Sequence, residues 1–409
     1  MKNRSFLVGG ALLLSALFLT SCEQIASSLD NPVPSYLALD KDSIGLSFGK
    51  TYQIKLSTIN DKVAPTYQSM DERVVKVDPN GLVTAVGPGE TGIVIRQAGD
   101  ETNTYKSSQV DLKVTVPAPL TIHANAKGTI NVYFNSFKPD APVYYYINSY
   151  ENKVAMTKNT EIEVNKGDNV YFTSANEALA PENEGGWANY GLQIQPQMYA
   201  YVYGNLMSLI TPDGNYIDNK TITKPFAFYR LFEWTSNLYT DGQHAIELPA
   251  TTLTKGCYNG LFMGTSIYEL PKLPATKLEP YCYQYMFANN WNLNQAPELP
   301  AKTLAEGCYG YMFNQCSNLY EAPVLPATKL EPYCYERMFA YCYNLRYVTC
   351  LATTMDDGNT ATSDWLSQAG QYVSPKYFNK AASATWNLIG FWNTSGWDIP
   401  SVWTIQDAK

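Results

Sequence analysis

Residues 325–345 read LPATKLEPYCYERMFAYCYNL, a phrase that also stands in three upstream copies. Its opening Leu-Pro-Ala recurs at Leu248, Leu273, Leu299 and Leu325, at spacings of 25, 26 and 26 residues. Each copy continues into Cys-Tyr-x-x-hydrophobic-Phe: Cys257 to Phe262, Cys282 to Phe287, Cys308 to Phe313 and Cys334 to Phe339. Self-similarity at this period predicts a solenoid, in which each copy buries its apolar side by stacking on its neighbours. A degenerate copy from Phe228 to Phe232, running on through Asn237-Leu238-Tyr239, starts the stack, and a one-residue shortening lies between Phe262 and Ile267.

Within a copy, Thr328-Lys329-Leu330-Glu331 reads as a capping box, with Leu330, Cys334 and Met338 at i, i+4 and i+8 on one helical face. The in-phase cysteines are then small buried hydrophobes in a ladder. Cys316 and Cys342 form a second ladder, with Gly264 and Asn290 at that position in the earlier copies. After each Phe comes an extended piece whose apolar residues recur every third position: Ile267, Leu270, Leu273; Leu293, Ala296, Leu299; Leu319, Ala322, Leu325; Leu345, Val348, Leu351. Pro271, Pro297 and Pro323 limit any regular pairing there to a few residues. Between the apolar positions stand residues that differ from copy to copy: Tyr268, Glu269 and Lys272; Asn294, Gln295 and Glu298; Tyr320, Glu321 and Val324; Arg346, Tyr347 and Cys350. In a stacked array these make one contiguous surface, where such folds bind. The same positions are equally read as plain solvent-facing residues.

The amino terminus carries Lys2 and Arg4, an apolar stretch from Phe6 to Leu19, and Leu19-Thr20-Ser21-Cys22. That is an export leader, too short to span a bilayer. Its last four residues resemble the lipobox of bacterial lipoproteins, which implies a diacylglyceryl group on Cys22 after removal of residues 1–21, and residues 22–35 as a linker. Seven cysteines remain, an odd number, all within the repeats. Parallel side-chain vectors make poor disulfides. No Cys-x-x-Cys pair occurs, and His123 and His244 lie outside the ladder, so no metal site is expected.

Two β-rich stretches precede the repeats. Residues 36–116 alternate short apolar runs with turns such as Pro79-Asn80-Gly81. The passage from Val74 through Pro79-Asn80-Gly81-Leu82-Val83 to Gly87-Pro88-Gly89-Glu90-Thr91-Gly92 resembles bacterial immunoglobulin-like domains of group 2, with Tyr67 where that family usually has Trp. The resemblance implies a β-sandwich spacer. Pro117-Ala118-Pro119 reads as a stiff linker to a second small β-sandwich over residues 117–210. Its loop Glu182-Asn183-Glu184-Gly185-Gly186-Trp187 is either solvated or a cation or sugar contact.

The repeat itself resembles the leucine-rich repeats of the BspA type found on surface proteins of Bacteroides and relatives. In that family Tyr203-Gly204-Asn205-Leu206-Met207 resembles the join to the repeats. The segment holding Ala381-Ala382-Ser383 and Ile399-Pro400-Ser401-Val402-Trp403 resembles the closing piece. The expected fold is therefore a multidomain, β-rich chain: an Ig-like β-sandwich, a second sandwich, a leucine-rich-repeat solenoid over residues 211–355, and a cap over 356–409. In that cap Trp386, Trp392, Trp397 and Trp403 are placed to cover the last copy.

The resemblance implies adhesion to host matrix proteins or to other bacteria. The partner is then a host or bacterial surface protein or a glycan, and the chain a monomer held at the outer membrane by its lipid alone, facing the cell exterior or the periplasm. An accessory glycan-capture lipoprotein using Trp187 or Tyr268 is the second expectation. The chain has 409 residues, a net charge of −8 and 32 Tyr against 15 Phe. Export removes Lys2 and Arg4 and makes it more acidic still, so no basic field exists to collect nucleic acid. Gly-x-Ser-x-Gly, His-Glu-x-x-His and phosphate-loop motifs are absent, and neither an enzyme nor a cofactor is expected.

Overall fold

The computed structural model describes residues 36–101, 105–182, 190–355, 360–384, 387–389 and 398–408. The leader with Cys22, the residues from Asn183 to Trp187, and Trp386, Trp392 and Trp397 lie outside them. The described chain is β-rich, with several sheets. One four-residue 3-10 helix, Leu206–Leu209, is the helical element among the described residues.

The first unit holds a four-stranded sheet ordered Ser43–Gly45, Ser108–Val116, Gly89–Gln97, Thr66–Ser69, and a three-stranded one of Thr51–Gln53, Leu82–Ala85 and Val75–Val77. Alternate residues of the long strands, such as Ile93 and Ile95 on one and Leu112 and Val114 on the other, point inward and build a separate core. Tyr67 packs on that core and lies over Gly81, where a Cβ would come within 2.8 Å of its ring.

The next unit faces two sheets together. One runs Lys153–Met156, Val143–Ile147, Asn169–Ser174, Leu120–Ala124, Ala200–Asn205. The other is Thr160–Val164, Gly128–Tyr133, Gln193–Pro196. Leu238–Tyr239 and Ile246–Glu247 then add to Ala200–Asn205 in parallel, so the first copies of the repeat extend this sheet. Their apolar core runs unbroken from Leu120 to Trp403.

Pro117-Ala118-Pro119, the stiff linker, is tied down on both sides. Asn205 N–H donates to the Ala118 carbonyl (2.9 Å), and Tyr216 Oη donates to the Pro117 carbonyl (2.7 Å). The same Tyr216 Oη accepts the Phe48 N–H (3.1 Å), and the Phe48 ring sits 5.1 Å from both Tyr146 and Tyr171 and 5.2 Å from Tyr150. An aromatic plug from the first unit thus joins the core of the second.

In the repeats the expected helix is absent; a ribbon of overlapping tight turns replaces it. Alternate N–H groups of the second full copy, on Tyr281, Tyr283, Tyr285, Phe287 and Asn289, donate to carbonyls of the next copy, from Glu306 to Asn314, at 2.8–3.0 Å. The intervening ones, on Cys282, Gln284, Met286 and Ala288, donate three residues back and close the turns. Every fourth residue takes a positive φ, as at Tyr281 (57°), Tyr285 (56°) and Asn289 (59°). Leu330, Cys334 and Met338 do all point inward, because the turn period is four residues and not 3.6. The capping box is likewise replaced: Lys329–Leu330 is a short strand pairing in parallel with Thr354–Met355.

Inside the ribbon two aromatic columns stack from copy to copy. Phe228, Tyr258, Tyr283, Tyr309, Tyr335 and Trp365 lie 5.4–6.2 Å apart, and Phe232, Phe262, Phe287, Phe313 and Phe339 lie 5.6–6.0 Å apart. The seven repeat cysteines are buried. The second-cysteine position of the first full copy belongs to Thr265 and not to Gly264: Thr265 N–H closes onto Phe262 as Cys316 N–H closes onto Phe313. Gly264 instead has a positive φ, as Gln315 and Tyr341 do in later copies.

Candidate functional site

The extended pieces carry the copy-specific residues, and proline decides their form. Where Pro271, Pro297 and Pro323 remove a donor, pairing is broken, and the register shifts between Glu321 and Val324. The fourth copy has Thr349 in place of the proline, and Tyr347–Cys350 pairs regularly with Tyr377–Lys380, which pairs with Thr404–Asp407. The closing segment therefore continues the parallel sheet by two strands. Regular pairing restores a two-residue alternation, so Cys350, expected to face outward, is fully buried.

The other expected surface residues reach solvent. Tyr268, Glu269, Lys272, Asn294, Gln295, Glu298, Tyr320 and Glu321 are exposed, and Arg346 and Tyr347 are half-buried. Two groups form among them. In the first, Tyr320 meets Tyr347 edge-on at 5.7 Å, Tyr347 stacks on Tyr377 at 5.6 Å, and the Arg346 guanidinium lies 5.8 Å over Tyr347. Arg346 Nη1 donates to Tyr320 Oη at 3.4 Å, and the hydrogen bond between the Tyr320 and Tyr347 side chains holds the Tyr347 phenol above its ordinary pKa. Tyr377 was not legible, since its strand lies thirty residues past Tyr347 in register and outside the repeated phrase.

The second group joins Tyr268 and Glu269 to the preceding sheet. Their N–H groups donate to Thr240 Oγ1 at 3.3 and 3.1 Å. Beside them Tyr199, Tyr201 and Tyr239 cluster, with Tyr199 4.6 Å from Tyr239 and 5.3 Å from Tyr201. Tyr199 and Tyr201 come from the preceding sheet, outside the repeated phrase, and Tyr239 from the degenerate first copy, so repeat alignment gave no sign that the three meet. Asn294, Gln295 and Glu298 stand exposed on the intervening copy. Asn294, Tyr320, Arg346 and Tyr377 follow one another through backbone hydrogen bonds of 3.4, 2.8 and 2.9 Å, so the backbone repeats while the side chains change.

Glu182, at the start of the acidic loop, pairs with Lys255 at 3.9 Å, and the rest of that loop lies outside the described residues. Among the described residues no three His, Cys, Asp or Glu side chains converge as a metal site, and no helix is long and apolar enough to cross a membrane. No protein-family model and no curated protein matches the chain.

Proposed function

We propose that the protein is a non-enzymatic lipoprotein, held at the outer membrane by a lipid on Cys22 and displayed at the cell surface. There it adheres to a host matrix protein, to other cells or to glycan through the side chains between its stacked copies. On this reading residues 36–116 are an Ig-like β-sandwich of bacterial group 2 and residues 117–210 a second sandwich. Residues 211–355 are a BspA-type leucine-rich-repeat solenoid, and residues 356–409 close it.

One observation carries the reading. Successive copies superimpose the same backbone bonds while presenting Asn294, Tyr320, Arg346 and Tyr377 in turn, the arrangement that lets a repeat array vary its ligand surface without disturbing its core. Tyrosine and arginine are the residue types that dominate binding energy at protein interfaces. Replacing Tyr320 and Arg346 together by alanine is expected to weaken adhesion of the mature protein to matrix-coated surfaces or to bacteria about tenfold or more, with an unchanged melting temperature. Adhesion that survives both changes places the surface elsewhere. Protease treatment of intact cells checks the display: a chain protected from cleavage defeats adhesion, and turnover of a glycan or peptide by the pure protein defeats the non-enzymatic reading.

A second reading, an accessory glycan-capture lipoprotein of a polysaccharide-uptake system, is favoured by the exposed rings of Tyr199 and Tyr268 beside the half-buried rings of Tyr201 and Tyr239.

A further inference from the structure

The outer face of the sheet running from Lys153–Met156 to Ala200–Asn205 is crossed by two rows of side chains in register. One row is Tyr146, Tyr171, Thr121 and Tyr203; the next is Asn169, His123, Tyr201 and Tyr239. The first unit already occupies one half of this face, where Phe48 covers Tyr146 and Tyr171 until they are almost fully buried. The other half, with His123, Asn169, Tyr201 and Tyr239 half-buried, is continuous with that interface. We propose that this half, from Tyr201 and Tyr239 across to Tyr268, is a binding subsite for a neutral oligosaccharide. The ligand class rests on the glycan-capture reading given above.

The geometry matches a pyranose ring, which offers an apolar C–H face and a rim of hydroxyls. Tyr199 is tilted 53° to Tyr239 and 71° to Tyr201, so the packed rings turn their faces in different directions. Tyr199 Oη donates to Tyr201 Oη at 3.2 Å, which sets two phenol oxygens side by side at the rim. Asp241 is held rigid by His244 Nδ1 at 2.6 Å and by the N–H groups of Gln243 and His244 at 2.9 and 2.8 Å. His244 in turn stacks on Tyr203 at 4.6 Å. The turn at Gly242 lies against Tyr268 and Glu269: a Cβ there would stand 3.9 Å from Tyr268 Oη and 3.5 Å from Glu269 Oε1. Asp241 and Glu269 accept hydrogen bonds from sugar hydroxyls and repel anionic polymers. Rings fixed on a sheet lose little freedom on binding.

The test is calorimetric titration of the mature protein with cellohexaose, xylohexaose, mannohexaose and maltohexaose, read in parallel by the tyrosine difference spectrum. At least one hexaose is expected to bind and to perturb that spectrum. Tyr199→Ala, Tyr239→Ala and Tyr268→Ala should each weaken it roughly tenfold, with unchanged melting. Tyr372→Ala, which removes an exposed ring outside both surfaces, should leave it unchanged. The absence of binding to all four hexaoses overturns the proposal, whatever adhesion assays report. Hexaose binding lost only in the Tyr320/Arg346 variant keeps glycan capture and removes this subsite. A Tyr199→Ala protein that loses adhesion to a protein ligand while no hexaose binds assigns the patch to a protein partner and overturns the proposal as well.

Discussion

The phenol of Tyr335 is sealed between Tyr309 and Trp365, each 6.2 Å away, and its hydroxyl, like those of Tyr258 and Tyr283, meets no hydrogen-bond partner among the described residues. An unpartnered buried hydroxyl costs free energy that its ring must offset. Tyr335→Phe is therefore expected to be neutral or to stabilise by up to about 1 kcal/mol in denaturant unfolding, whereas Phe339→Ala should cost about 4 kcal/mol through the cavity it leaves. A clear loss in Tyr335→Phe refutes the assignment. The cysteine ladder was legible because cysteines at a fixed period stand out. That the tyrosine beside each one is equally buried was not, because a tyrosine in a Cys-Tyr pair reads as amphipathic. Cys316 and Cys342 also do more than fill space: their thiols donate to the carbonyls of Phe287 and Phe313 at 3.1 and 3.0 Å, and Asn290 donates to Ile267 in the same place. A position that takes Cys, Asn or Thr is asking for a short donor.

At the scale of the element, the ribbon of turns replaced a helix because their periods differ too little to separate over nine residues. Leu330, Cys334 and Met338 drift by about 40° per step on a helix, so either element keeps them on one side. The distinguishing feature is the positive-φ column, which runs Gly256, Tyr281, Gly307, Tyr333 through successive copies. Tyrosine there costs about 1 kcal/mol against glycine, which is why sequence gives it no sign. The alternation has a steric reason: a Cβ on Gly256 would come within 2.3 Å of the Phe226 ring, and one on Gly307 within 2.4 Å of Tyr281. The ribbon also sets the chemistry of its thiols. Burial pushes Cys257, Cys308, Cys316 and Cys350 up to about 12, and Cys282 and Cys342 well above their ordinary value. In the unfolded chain these thiols ionise at about 8.5, so their stabilisation is complete below that pH and is lost as pH rises toward the folded value. Each ionising thiol removes about 1.4 kcal/mol per pH unit. The folded protein should leave all seven repeat thiols unmodified by a thiol reagent at neutral pH, release all seven in denaturant, and melt progressively lower between about pH 9 and 12. Rapid labelling of the native protein contradicts this.

Across the whole molecule, the seam between the first unit and the next depends on one side chain. Phe48 brings its ring against Tyr146, Tyr150 and Tyr171, Ser47 Oγ accepts from Ile217 N–H, and Lys76 pairs with Glu151. Phe48→Ala should free the first unit, seen as new proteolytic cleavage between residues 116 and 120 and a broader scattering profile, while the remaining chain melts as before. Unchanged cleavage and scattering would show that the polar contacts suffice. The sequence reading placed a stiff proline linker here because local composition is all it sees; a contact between residue 48 and residues a hundred positions on leaves no periodic trace. The same limit hid Tyr199, Tyr201 and Tyr239, whose partnership with Tyr268 exists only once the sheet and the first copies share strands. With Phe48 seated, the first unit is anchored in the core of the next. A drag force on the far copies then reaches the first unit as a bending moment, and the joint around Tyr216 is where sustained flow would open the molecule first.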